Sequence, residues 1–209
     1  MEEKVRFFNL EFIINNSVIR PQALTETLVH HVLENESRMS NQRRALDLCT
    51  GSGNIAITLS KETPMSVEGA DVLSEAILLA RLNNSLLQGN ADFYEMDIFK
   101  EWQELKSDKY DVITANPPYW SIGDLVKRFG KVPEGQLDSF LGGNDGLKFY
   151  RQIIGKAPQH LTAGGRIYME HEPTRYEEVR DMLKKDFYNI TVRKDYKDRN
   201  RTISGQLRD

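Results

Sequence analysis

A single cysteine, Cys49, is all the thiol this chain carries, so no intramolecular disulfide can staple it and a reducing compartment suits it. No apolar run approaches the roughly 18 residues that suggest a membrane span. The opening Met1-Glu2-Glu3-Lys4 lacks the basic start of a secretory leader, so a cytoplasmic location and no membrane are expected. Positive charge is not in excess either. The 28 Lys and Arg face 31 Asp and Glu, a net charge of −3, which removes any global electrostatic bias toward nucleic acid. Histidines are few and badly placed for metal. His30 and His31 are adjacent and cannot share one helix face, and His160 and His171 stand at no metal-ligand spacing, so no metal is expected. No Ser/His/Asp order, internal repeat or low-complexity tract stands out. What is there is 209 residues, 39% hydrophobic and 28% charged, enough for one good core, and 1–209 is read as a single domain.

Along that domain, strand-like and helix-like patterns alternate. Val5 to Ile14 partly alternates apolar and polar, with Asn15-Asn16-Ser17 as a turn signal before Val18-Ile19, so residues 1–20 read as a β-hairpin. Thr25 is placed to cap a helix running to about Glu36. Strands follow at Ala45–Cys49, Met65–Ala70, near Asp92–Met96 and at Tyr110–Ala115, with helices at Asn54–Lys61 and Ser74–Leu87 between them. Residues 120–144 show no clear period and read as a lid-like loop, in which Lys127, Arg128 and Lys131 form a solvated charge cluster. Asp145–Leu161 is helical in pattern despite Gly155 and Pro158; Gly165–Glu170 is a strand and Thr174–Asp186 a helix. Two closing β-like runs, Tyr188–Arg193 and Arg201–Leu207, flank the charged turn Asp195–Asn200 as an antiparallel hairpin. This order indicates a doubly wound α/β sheet.

Chemistry concentrates at strand ends. Leu46-Asp47-Leu48-Cys49-Thr50-Gly51-Ser52-Gly53-Asn54-Ile55-Ala56 joins a strand to a helix, and Gly51 and Gly53 permit a tight turn with close backbone approach to a ligand. Asp71, 20 residues beyond Gly51, ends the next strand, where a carboxylate can accept both hydroxyls of a ribose. That pair fits a nicotinamide enzyme as well as a methyltransferase. Asp97 with Ile98 and Phe99 beside it can bind an adenine, but taken alone it reads better as a helix N-cap aspartate before a core isoleucine.

The most specific stretch is Asn116-Pro117-Pro118-Tyr119. Two prolines stop the preceding strand, because each lacks an N–H and restricts the residue before it. The result is a rigid corner presenting an amide, a proline carbonyl and an aromatic ring at a strand's carboxyl end. A planar nitrogen, such as a side-chain amide or the exocyclic amine of a base, attacks poorly because its lone pair is delocalised. Accepting its two N–H bonds on the Asn116 oxygen and Pro117 carbonyl, with Tyr119 stacked on the flat group, would aim it at an electrophile. Without such neighbours, Asn-Pro-Pro is only a turn.

Taken together these residues resemble the catalytic domain of the release-factor glutamine methyltransferases, the HemK/PrmC family. The likeness runs from about Leu10 to Gly205: the Leu10-Glu11-Phe12 linker, Thr25-Glu26, the Asp47–Gly53 glycine loop, Asp71, the Asn116–Tyr119 signature, the Gly142-Gly143-Asn144-Asp145-Gly146-Leu147 element and the closing Lys194-Asp195 and Asp198-Arg199. The resemblance implies a seven-stranded, Rossmann-like S-adenosylmethionine-dependent fold with an N-terminal β-hairpin. It also implies that Asp47, Cys49, Thr50, Gly51, Ser52, Gly53, Asp71, Asp97, Ile98 and Asn116 contact S-adenosyl-L-methionine. Asn116, Pro117, Pro118 and Tyr119 would then hold the glutamine of the Gly-Gly-Gln loop of a peptide-chain release factor. Three places depart from the family pattern. Cys49 stands where a glycine is usual, Pro21-Gln22-Ala23-Leu24-Thr25-Glu26 loses an arginine and a proline, and Gly135-Gln136 replaces a Glu-Pro. Only about 20 residues precede the first core helix, where bacterial members carry a helical recognition domain. The alternatives are methylation of an exocyclic base amine in DNA or RNA, and a binding module that kept the fold without turnover.

Overall fold

The computed structural model describes residues 3–16, 18–36, 43–130 and 140–208. Short runs of buried apolar residues form the parallel strands β3 (Arg44–Leu48), β4 (Ser66–Asp71), β5 (Ala91–Glu95), β6 (Tyr110–Ala115) and β7 (Leu161–Glu170). The last two, β8 (Phe187–Lys194) and β9 (Asn200–Leu207), make the expected hairpin, and β9 runs antiparallel to β7. Their spatial order is β5-β4-β3-β6-β7-β9-β8, seven strands in one sheet. A sheet buried on both faces needs apolar residues on both sides of each strand. Neighbouring residues of β3 accordingly enter different cores, Ala45 on one face and Leu46 and Leu48 on the other.

Helices α1 (Glu26–Glu36), α2 (Asn54–Glu62) and α3 (Ser74–Leu86) cover the Ala45 face through Leu28, Val32, Ile57 and Ile77. After α4 (Ile122–Phe129), α5 (Lys148–His160) and α6 (Tyr176–Leu183) cover the other face through Tyr150, Ile153, Val179 and Leu183. His31 fastens α1 to the far edge of the sheet, its Nδ1 lying 2.9 Å from Thr202 Oγ1 and its Nε2 3.0 Å from Thr191 Oγ1. Burial lowers its pKa to about 4, so it sits there as a neutral imidazole.

Two expectations need correction. The N-terminal hairpin pairs β1 (Glu3–Phe7) with β2 (Leu10–Ile14) and turns at Phe8-Asn9, not at Asn15–Ser17. Phe8 takes φ 56°, and its N–H is held by Glu26 Oε1 at 2.7 Å, a long-range bond that no local turn signal reveals. Residues 122–129, expected as loop, are helical. A capping box starts α4: the Ser121 hydroxyl accepts the Asp124 N–H, and Asp124 accepts the Ser121 N–H. Lys131 and Gly135-Gln136 lie outside the described residues.

The chain order places the site. From β3 it winds outward to β4 and β5, then returns across β3 to β6 and β7. Between the carboxyl ends of β3 and β6 the winding reverses, and such a switch point opens a crevice because the following loops diverge. The glycine turn leaves β3 there and the Asn-Pro-Pro-Tyr corner leaves β6.

Candidate active site

At that crevice lies a cavity of about 420 Å³. Cys49, Thr50, Gly51, Ser52, Asp71, Asp97, Ile98 and all four residues Asn116–Tyr119 line it, together with Val18–Gln22 from the segment after the hairpin. The glycine turn is tied down strand by strand. Gly51 N–H donates to Asp71 Oδ2 at 2.9 Å and Thr50 N–H to the Ala70 carbonyl at 3.0 Å. Gly51 has φ +54°, and a Cβ added to it would meet no atom within 4 Å, so this backbone borders open space. Gly53, at φ +79°, caps α2 and serves packing instead, since a Cβ there would come within 3.0 Å of both Ile57 and Phe93.

Asp47 and Gly53 do not line the cavity, unlike the other expected cofactor-binding residues. Asp47 is fully buried beneath the turn, accepting the hydroxyls of Thr50 and Thr114 at 2.7 Å each. One carboxyl therefore joins the glycine turn to β6, the strand that ends at Asn116. Burial raises its pKa to about 7, against the pull of those two hydroxyls. Asn83 of α3 gives parallel support, donating to the Ser52 carbonyl at 3.0 Å while exchanging both amide bonds with Ile13 of the hairpin.

Asp71 keeps its place by accepting Gly51 N–H on one oxygen and Leu73 N–H on the other. Carboxylate oxygens each have two lone pairs, so both retain capacity for a ligand's hydroxyls. Asp97 caps the turn after β5 by accepting the Phe99 N–H at 2.9 Å and pairs with Lys100 at 2.8 Å. Asp97 thus closes a turn and does not cap a helix, the short helix that follows starting only at Trp102 after Glu101, and it also lines the cavity. Lys100 and that backbone bond hold its carboxyl below the usual range. Beside it, Phe99 and Phe149 meet edge to face at 5.2 Å, and the Lys148 ammonium lies 4.4 Å from the Phe99 ring centre.

At the corner, Asn116 Nδ2 donates to Thr25 Oγ1 at 3.3 Å, and the Tyr119 hydroxyl donates to Glu170 Oε1 at 3.3 Å. Burial pushes the Tyr119 phenol well up, so it stays protonated. The Gly142–Leu147 element lies behind the corner. Added Cβ atoms would stand 2.8 Å from the Pro118 oxygen at Gly142 and 2.4 Å from the Tyr119 oxygen at Gly146. Only glycine permits that approach. Trp120 next in line stacks on Phe140 at 5.4 Å, and the Arg128 guanidinium, expected to be solvated, lies 4.8 Å from the Trp120 ring centre. Two cavity residues had little or no sequence signal. Glu170 carries no motif of its own, and Thr25 reads in the sequence only as a helix cap and a family position.

A seven-stranded doubly wound sheet with a glycine turn and an Asn-Pro-Pro-Tyr corner at its switch point is the fold of a methyltransferase. The family model described as the methyltransferase small domain matches residues 18–132. The release factor glutamine methyltransferase of Thermodesulfovibrio yellowstonii is 34% identical over 188 residues, covering 88% of this chain and 66% of that protein. Its counterpart in Flavobacterium psychrophilum is 33% identical, covering 98% of this chain and 73% of that protein. The chain thus spans about two thirds to three quarters of these relatives' length. A methyltransferase structure from Pyrococcus furiosus superposes with a TM-score of 0.72 at 17% identity, covering 97% of this chain and 91% of that one. The chain belongs to the release factor glutamine methyltransferase family.

Proposed function

We propose that the cavity binds S-adenosyl-L-methionine and that the chain methylates the side-chain amide of the glutamine in the Gly-Gly-Gln loop of a peptide-chain release factor. One observation carries this reading: the glycine turn after β3 and the Asn116 corner after β6 open into the same cavity at the switch point. The residues present fit the cofactor. Gly51 leaves uncovered backbone toward the cavity, Asp71 beside it keeps carboxylate lone pairs for a ribose's hydroxyls, and Asp97 with Ile98 offers an acceptor beside an apolar wall. When bound, the cofactor supplies an electrophilic methyl group on a sulfonium sulfur.

The chain's residues would do the rest. With Asn116 Nδ2 engaged by Thr25, its Oδ1 is free to accept one substrate N–H, and the Pro117 carbonyl takes the other. Tyr119 lies over the flat amide and, being protonated, does not serve as a base. Holding both N–H bonds favours the pyramidal nitrogen of the transition state over the planar ground state, which is where binding energy accelerates transfer. The N-methylated amide is acidic before it loses its proton, so no strong base is needed.

Methyl-labelled cofactor incubated with the chain and a release factor tests the reading. Label is expected in the release factor, with transfer reduced at least about 10²-fold in Asn116→Ala. Label in DNA or RNA instead would replace the substrate assignment. Cofactor binding without transfer to any of these acceptors would make the chain a binding module, and tighter binding of a nicotinamide dinucleotide would remove the methyltransferase reading altogether.

A further inference from the structure

Glu170 ends β7 in the cavity wall, yet only 2% of it is exposed. Tyr119 donates to its Oε1 and Arg201 Nη1 stands 4.0 Å from the same oxygen; burial raises its pKa, and the nearby Thr25 hydroxyl and Arg201 pull the other way. Among the described residues Oε2 has no hydrogen-bond partner. A buried acceptor left bare costs about 1–3 kcal/mol, more when charged, so the site calls for a donor. Thr25 has one to give. Its Oγ1 already accepts from Asn116 Nδ2, which leaves its own proton uncommitted.

We propose that Glu170 is a positioning residue for the Asn116 amide. Its Oε2 takes the Thr25 hydroxyl proton, Thr25 Oγ1 is thereby fixed as the acceptor for Asn116 Nδ2, and Asn116 Oδ1 is the atom turned to the substrate. This rests on the reading of Asn116 given above. An asparagine amide has two orientations differing by a half turn, and only its partners decide between them. Burial works against its charge, but with the Arg201 guanidinium 4.0 Å away and the Tyr119 hydroxyl donating to it the carboxylate is held ionised. In that form it can only accept, so it dictates the direction of every bond in the chain from Glu170 through Thr25 to Asn116. In Glu170→Gln the new amide can donate to Thr25, which then donates to Asn116 Oδ1. That reversal presents Nδ2 to the substrate N–H, donor against donor. The same carboxylate holds the Tyr119 hydroxyl, so one buried group orients both side chains of the corner.

Steady-state methylation of release factor by Glu170→Gln, Thr25→Val and the double variant tests this, with melting curves and calorimetric S-adenosylmethionine affinity as controls. Each single variant is expected to lose about 10²-fold in kcat, as for removal of one orienting bond, while cofactor Kd stays within about twofold. The double variant should be no slower than either single one, because both break the same chain. Thr25→Ser should restore most of the rate lost in Thr25→Val. Full rate in Glu170→Gln, or losses that multiply in the double variant, would overturn the proposal. If Glu170→Gln does not fold, full rate in Thr25→Val overturns it alone. Asn116→Ala separates the two levels. Should it keep full rate, the amide clamp itself falls; should it be inactive while Glu170→Gln is active, only the role of Glu170 falls.

Discussion

Cys49 turns the chain out of β3 at φ +58°, the left-handed region in which a side chain costs about 1–2 kcal/mol. That backbone is why a glycine suits the position in the family this chain resembles. Cys49→Gly is expected to relieve the strain and to give back half of it, about 0.5–1 kcal/mol, as chain entropy. Its melting temperature should therefore lie within a few degrees of wild type. Cys49→Val puts a β-branched residue where φ is positive and should melt markedly lower, by several degrees for a loss of about 1–2 kcal/mol. Calorimetric melts of both variants check the pair, and equal melting points for glycine and valine would show that the left-handed turn is not imposed there.

Among elements, the Gly142–Leu147 loop packs directly behind the Asn-Pro-Pro-Tyr corner. Gly146→Ala would place a methyl group 2.4 Å from the Tyr119 carbonyl oxygen at a positive φ, so the corner must yield. A displacement of the order of 1 Å in a positioning group can cost about 10²-fold in rate. Methyl transfer by Gly146→Ala should fall by that order while S-adenosylmethionine binding, measured by calorimetry, changes little. Much of this arrangement is legible in the sequence, because alternating patterns, Gly51, Gly53 and two prolines after Asn116 act locally. The remainder depends on distant partners. The hairpin turns at Phe8 because Glu26 of α1 captures its N–H, and Glu170 gains meaning only beside Thr25, 145 residues away, and Tyr119. The helix at Ile122–Phe129 did leave a signal, the Ser121–Asp124 box, but eight residues are too few to make a clear period.

Across the whole molecule, buried titratable groups oppose one another. Burial lowers His31 and His171 to about 4, and Arg193 and Arg201 respectively push the same way. It raises Asp47 to about 7 and also raises Asp71 and Glu170. Between about pH 4 and 6.5 the unfolded chain carries protonated histidines and ionised carboxylates, while the folded chain holds neutral histidine and protonated Asp47. Each buried histidine therefore adds stability as pH rises through that window, and Asp47 loses it, each by up to about 1.4 kcal/mol per pH unit. Removing one side should expose the other. Asp47→Asn keeps an acceptor for a threonine hydroxyl and does not titrate, so its stability relative to wild type should climb as pH rises from about 4 to 7. His31→Gln should behave in the opposite sense, gaining on wild type as pH falls from about 6.5 to 4. Urea unfolding at pH 4.5, 5.5 and 6.5 reads both. Any fixed loss of hydrogen bonding shifts a variant's curve without tilting it, so the tilt belongs to the titrating group. An Asp47→Asn curve parallel to wild type would mean that Asp47 stays ionised beneath the glycine turn, with Thr50 and Thr114 holding a charge and not a neutral acid.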